Sequence, residues 1–195
     1  MFNDRYGLTQ AVIDRIKNNT RRIEGGPKFQ EMARCADQIL YNKDTGLIDF
    51  MYEGINIFNH KPRYKVGDIV AVAQRYYCVV SPECDAPVDG MDRAPGWRNK
   101  MFVRADLMPF QIRITGIKCE RLQDISNEEC LREGIRQFTP NFPKNLPIHP
   151  THFVVGDILK DTPREAFAAL IDKVSGRGTW ASNPWVVAYE FELVK

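Results

Sequence analysis

Arg15-Ile16-Lys17-Asn18-Asn19-Thr20-Arg21-Arg22 packs one lysine, one threonine hydroxyl and three guanidiniums into eight residues. Upstream, Leu8, Val12, Ile13 and Ile16 recur at helical spacing behind Thr9, a residue suited to an N-cap. Asn18 and Asn19 favour turns and tolerate left-handed backbone, so the helix is expected to stop there. That places Lys17 on the last helical turn, with Thr20 and Arg22 on the segment leaving it. A lysine in that position also complements the helix dipole and aids solubility. Alone, the stretch carries no more than that.

The chain around it has 195 residues, enough for one domain with a substantial core, with or without an insertion. Its apolar share of 44% is ordinary for a globular protein. A net charge of +2 gives no global pull toward nucleic acid, so any basic surface must come from local clustering. No window approaches eighteen uninterrupted apolar residues, and Met1-Phe2-Asn3-Asp4-Arg5 lacks the apolar core of a signal peptide. Cys35, Cys78, Cys84, Cys119 and Cys130 are odd in number and form no CxxC pair. Zinc and a disulfide framework are both disfavoured by that spacing. The expectation is a cytoplasmic protein with no membrane partner, no metal and no cofactor.

Gly25-Gly26-Pro27 breaks the chain, and Pro27 suits the first turn of a second helix. Phe29, Met32, Ala36, Ile39 and Leu40 mark one face of that helix, which Asn42 and Gly46 are expected to end. Residues 47 to 58 read as one or two short strands around Gly54, and Ile69 to Tyr77 as the best strand of the first half. Residues 81 to 99, rich in proline, glycine and aspartate, read as a long loop. Gln111 to Arg121 is the next strand. Ser126 and Glu129 have the spacing of a capping box, and Gly134 is placed to end that short helix. Residues 139 to 150 hold four prolines and read as irregular. Thr162-Pro163 opens a helix with Phe167, Leu170, Ile171 and Val174 on its core face, and Trp185 to Val194 alternates as a final strand. Strands, short helices and long loops without a βαβ rhythm point to α+β, or to a small β-barrel decorated by helices.

Several segments in order resemble the ASCH family of PUA-like β-barrel proteins, and its phage and prophage members in particular. Lys17-x-x-Thr20-x-Arg22 is similar to the family's G-x-K-x-x-T-x-R signature, with Arg15 where the signature has glycine. Tyr64-Lys65-Val66-Gly67-Asp68 resembles the turn into a barrel strand. Gly96-Trp97, Met108-Pro109, Arg113-Ile114, Glu120 to Ser126 and Glu133-Gly134 make the most specific match. Trp180, Asn183-Pro184-Trp185-Val186 and Glu190-Phe191 resemble the last strand. The resemblance implies one PUA-like domain over residues 1–195, with elaborations at 27–60 and 136–160.

It also implies a cleft near Lys17 and a link to RNA. Some small members resemble amidohydrolases that remove acyl groups from the exocyclic nitrogen of modified cytidines. Their lysine, threonine and glutamate would fall on Lys17, Thr20 and Glu133. Amide hydrolysis needs a nucleophile, a base, an acid for the leaving amine and a holder for the oxyanion. Thr20 could attack or position water. Lys17 is a base only when neutral, which requires burial or neighbouring cations such as Arg21 and Arg22. Glu133 could protonate the leaving nitrogen or hold Lys17. Arg15 at the glycine position is expected to crowd the approach to Lys17, and residues 27 to 60 are numerous enough to reshape the cleft.

Blander readings stand beside these. Lys17 and Glu133 could form an ordinary ion pair across the cleft mouth, and Arg22 and Arg113 could hold carboxylates as readily as phosphate. Of the tryptophans, Trp185 reads as core, while Trp97, beside Arg98 and Lys100, is the better candidate for stacking on a base. His149-x-x-His152 lacks neighbouring ligands for a metal. Arg93, Arg98, Lys100 and Arg104 form a basic run diluted by Asp89, Asp92 and Asp106, which favours a solvated loop. The resulting expectation is a monomer that binds nucleic acid or a modified nucleoside through Lys17, Thr20, Glu133, Arg21, Arg22, Trp97 and Arg113. The alternatives are an N4-acylcytidine amidohydrolase using Lys17, Thr20 and Glu133, and, without a carboxylate cluster to support it, a nuclease.

Overall fold

The computed structural model describes residues 2–80, 95–139 and 151–194. The expectations for Cys84, Asp89, Asp92, Arg93 and His149, and for most of the two loops containing them, lie outside the described residues. Helix α1 (Leu8–Ile13) is shorter than its apolar spacing predicts. Gly7 is its N-cap, and Thr9 lies inside the first turn, where its hydroxyl donates to Asp4 Oδ1 at 2.5 Å. The helix ends at Asp14, and Arg15 then takes a left-handed backbone with φ 60°. A left-handed residue cannot continue a right-handed helix. Lys17 therefore sits in the connector, not on a helical turn.

Strand β1 (Asn19–Arg22) follows at once. Helix α2 (Gly26–Cys35) has Pro27 in its first turn and buries Phe29 and Ala33. It stops short of the predicted Asn42, because Ile39 and Leu40 belong to β2 (Gln38–Asn42), which pairs with β3 (Leu47–Tyr52). Here a sheet ladder overrides helical spacing. Strand β4 (Ile55–His60) returns from β3 through Glu53 and Gly54, whose φ of 49° and 79° suit a tight hairpin turn. Strand β5 is only Ile69–Ala71, and the chain then enters α3 (Tyr76–Val80). Strand β6 (Gln111–Arg121) has the predicted bounds. Helix α4 (Asn127–Arg132) carries the Ser126–Glu129 capping box with both reciprocal bonds formed. After it come β7 (Arg136–Phe138), β8 (His152–Val155) and β9 (Ile158–Lys160). Helix α5 (Pro163–Ser175), capped by Thr162, α6 (Thr179–Ser182) and β10 (Trp185–Leu193) complete the described chain.

The strands form three antiparallel sheets, ordered β1-β10-β6-β5, β2-β3-β4 and β7-β8-β9. The class is α+β. None of these sheets closes on itself, which differs from the expected closed barrel: β1 and β5, four and three residues long, stand at opposite edges of the first sheet. The stretches 27–60 and 136–160 each carry a three-stranded sheet of their own. Strand β10 divides the core, since successive side chains of a strand point to opposite faces. Val186 joins Leu122, Ile125, Ile135, Phe167 and Leu170 on one side, and Val187, Tyr189 and Phe191 join Phe29, Ile48, Phe50 and Ile114 on the other. With both faces covered, β10 is buried from Val186 to Tyr189. No helix among the described residues is long and apolar enough to cross a membrane.

Candidate functional site

The connector after α1 is clamped to the end of α4. Asn18 N–H donates to the Arg132 carbonyl at 3.0 Å, and Arg132 Nε donates to Asn18 Oδ1 at 2.9 Å. Gly134 follows with φ 101°, and a Cβ there would lie 3.3 Å from Leu8 Cδ2 and 3.5 Å from Lys17 Cβ. That φ is one L side chains rarely adopt, and a Cβ there would press on the Leu8 methyl, so glycine suits the passage. Glu133 is thereby turned against Lys17. Lys17 Nζ donates to the Asn19 carbonyl at 2.7 Å, the Glu133 carbonyl at 2.9 Å and Glu133 Oε2 at 2.5 Å. Three acceptors for three hydrogens is the arrangement of an ammonium. Burial pulls the Lys17 pKa below its ordinary value, against the opposing charge of Glu133.

Strand β1 alternates faces. Arg21 points inward, where Nε donates to Glu120 Oε1 at 2.7 Å and Nη1 to Glu133 Oε1 at 3.2 Å, while Nη2 lies 3.0 Å from Glu129 Oε2. Lys118 Nζ joins from the rim, 2.8 Å from Glu120 Oε2 and 2.7 Å from Glu129 Oε1. Lys17, Arg21 and Lys118 thus balance Glu120, Glu129 and Glu133. Burial opposes the Arg21 charge, but the three carboxylates outweigh it and hold its pKa above the ordinary value. Arg21 borders the cleft, yet its guanidinium is engaged inside the protein.

Thr20 and Arg22 face the other way and line a cleft of about 390 Å³. Lys17, Thr20, Arg22 and Glu133 make one wall, and Phe167, Leu170, Ile171 and Val174 of α5 make the other. The stripe on α5 that reads as a core face in sequence is core at Phe167 and Leu170, whereas Val174, 46% exposed, opens on the cleft. Phe2 lies across this space, its ring centroid 5.8 Å from Lys17 Nζ and 5.6 Å from that of Phe191. No sequence signal marked Phe2. Arg15, expected to crowd Lys17, does not line the cleft; its Nη1 reaches the Leu193 carbonyl at 3.3 Å.

Other sequence candidates lie elsewhere. Trp97 is 4% exposed and packs edge-on against Tyr77, so it offers no face for stacking. Arg113 sits on the solvent face of β6, paired with Glu192 at 3.1 Å. Trp185 is only partly buried, with the Arg121 guanidinium 4.9 Å from its ring. His152 Nδ1 lies 3.0 Å from Asp161 Oδ1, and Arg104 is paired with Asp106. Among the described residues no group of His, Cys, Asp or Glu side chains is arranged to hold a metal ion. One side of the cleft is lined by polar groups, the Thr20 hydroxyl, Arg22 and the Lys17–Glu133 pair, and the other by apolar side chains of α5. Comparison with protein-family models, curated proteins and solved structures gives no match to this chain.

Proposed function

We propose that the cleft binds the base of a nucleoside, free and modified or within RNA. The observation that carries this is the division of one cleft of about 390 Å³ into a polar wall and an apolar wall. Its volume falls in the usual range for small-molecule sites, roughly 300–1,000 Å³. A planar heterocycle has the matching chemistry, with hydrogen-bonding edges and apolar faces. The Thr20 hydroxyl and Arg22 would meet the edge, and the α5 side chains and Phe2 the faces. The same reading holds the chain to be a phage-type relative of the ASCH family, its first sheet a PUA-like barrel opened between β1 and β5. Support comes from Lys17, Thr20 and Glu133, which the resemblance groups and which border one cleft although Lys17 and Glu133 are 116 positions apart.

A second reading, hydrolysis of N4-acylated cytidine, is favoured by the 2.5 Å Lys17–Glu133 contact together with the lowered Lys17 pKa. Passing one proton from Lys17 to Glu133 would yield a neutral amine and a carboxylic acid. The amine could then take the proton of a Thr20-held water attacking the acyl carbon, and the acid could protonate the departing N4. Binding ranks first because every hydrogen of the Lys17 ammonium already has an acceptor.

The test is calorimetric titration of the purified protein with cytidine and N4-acetylcytidine, with product analysis by chromatography and Lys17→Ala alongside. Saturable binding without turnover is the expected result. Cytidine released by the wild type alone would put the hydrolase first. Neither binding nor release, extended to RNA at several salt concentrations, would sink both readings.

A further inference from the structure

A second hollow of about 430 Å³ adjoins the cleft and shares Phe2, Asn3 and Val174 with it. Its polar side chains are Asn3, Asp4, Arg75, Arg98, Asn99 and Lys100, three cations against one carboxylate. Lys100 is committed to the fold, bonding the Phe2 carbonyl, Asp4 Oδ1 and Thr9 Oγ1. Asp4 Oδ1 is held with it, since it also accepts from Thr9, while Asp4 Oδ2 faces Arg75 Nη2 at 3.8 Å. Burial pushes Asp4 up, but the Lys100 and Thr9 hydrogen bonds and the Lys100 charge outweigh that and keep it a carboxylate.

Two guanidiniums remain. Among the described residues, the Arg75 side chain makes one long ion-pair contact, Nη2 to Asp4 Oδ2 at 3.8 Å, and Arg98 is exposed without a carboxylate partner. Asn3 and Asn99 add to them. Each side-chain oxygen is fixed by a backbone N–H, from Arg5 and Met101, at 3.0 Å, which leaves the amide nitrogens as donors. Two guanidiniums and two carboxamide nitrogens around one hollow suit an anion with several acceptor oxygens.

We infer that this hollow is a phosphate subsite of the same ligand: the cleft takes the base, and Arg75 and Arg98, beyond Phe2 and Asn3, take the phosphate of a nucleotide. The inference rests on the base-binding reading above and narrows it from nucleosides to nucleoside phosphates. The phosphate could be terminal on a mononucleotide or internal to a strand, and the chemistry of recognition is the same.

The experiment titrates wild type and an Arg75→Ala/Arg98→Ala variant with N4-acetylcytidine, its 5′-monophosphate and an unphosphorylated cytidine-rich pentanucleotide, at two salt concentrations. Both arginines are exposed, so the variant should fold, which a thermal melt verifies. The expected result is a monophosphate or pentanucleotide bound roughly tenfold or more tightly than the nucleoside. That preference should be lost in the variant and weakened by salt in the wild type, while the nucleoside binds both proteins alike. A mononucleotide preference assigns the subsite to a terminal phosphate, and a pentanucleotide preference to the strand. Equal binding of nucleoside and phosphate by the wild type would overturn the inference and leave the cleft reading standing, as would a preference that survives the double substitution. No binding of any of the three overturns both.

Discussion

Lys17 Nζ lies 2.5 Å from Glu133 Oε2 and 2.9 Å from the carbonyl oxygen of the same residue, 116 positions along the chain. The pair is buried, with side chains 2% and 5% exposed, and Arg21 extends it to Glu120 and Glu129. A contact of this kind is a fold element before it is a reactive group. Its desolvation is offset only while every charge keeps its partner.

Replacing Lys17 by Met should therefore destabilise the protein by about 3–5 kcal/mol, because Glu133 keeps only the longer Arg21 contact. Glu133→Gln should cost a similar amount, and the double variant less than the sum, since the two side chains act as one unit. Urea denaturation of the four proteins measures this. Strict additivity would show that the two groups do not interact.

Arg15 occupies a left-handed conformation, φ 60°, that glycine adopts freely. An L-residue there costs roughly 1–2 kcal/mol, partly offset by the greater chain entropy that glycine loses on folding. Arg15→Gly is expected to leave stability unchanged or raise it by up to about 1 kcal/mol. Thermal melts of Arg15→Gly and Arg15→Ala separate backbone relief from loss of the Leu193 contact, because both remove the side chain. A lower melting temperature for Arg15→Gly than for Arg15→Ala, the order set by glycine's entropy alone, would rule out strain at this position.

Trp97 is a buried packing residue against Tyr77, not a stacking platform. Trp97→Ala should cost about 3–5 kcal/mol of stability, the usual loss for a large buried aromatic. The conservative Trp97→Phe should restore most of that and bind nucleosides like the wild type. Reduced nucleoside affinity in a fully stable Trp97→Phe protein would return Trp97 to the ligand.

Acid should weaken the fold through Asp4 and Glu129. At each, burial pushes the pKa up, but hydrogen bonds and cations outweigh it: Lys100 and Thr9 at Asp4, and Lys118, the Ser126 backbone and Arg21 at Glu129. Folded pKa values below the unfolded ones mean that the unfolded chain takes up protons first as pH falls. The stabilisation is thus complete above about pH 5 and lost on descending through about pH 4 and below. Lys17, whose pKa is lowered by burial, gives the same sign of slope at high pH: the unfolded chain holds the extra proton, so stability rises as pH approaches about 10.4. Asp4→Asn should flatten the acid limb of a stability–pH curve measured by denaturation. An unchanged limb in that variant would show that Asp4 carries none of it.

Much of the secondary structure is written locally. Strand β6 follows from its β-branched alternation, α4 from Ser126 and Glu129, and α5 from Thr162-Pro163, because propensity, caps and period 2 or 3.6 act over a few residues. Where local signals competed, tertiary pairing decided: Ile39 and Leu40 fit a helical stripe but entered a ladder with β3. The α+β class was also legible, since it depends only on which elements occur. A Lys17–Glu133 ion pair was among the readings of the sequence, though across the cleft mouth and not buried as it is; the enclosure of Arg21 by three carboxylates, the burial of Trp97 and the position of Phe2 across the cleft were not legible. Those are contacts between residues about 100 positions apart or more, or between loops and sheets, and their energies exist only once the chain has brought the groups together and excluded water from between them. Sequence determined which groups are present and in what local form. The tertiary structure decided which of them face each other, and so which are held inside the fold and which border the cleft.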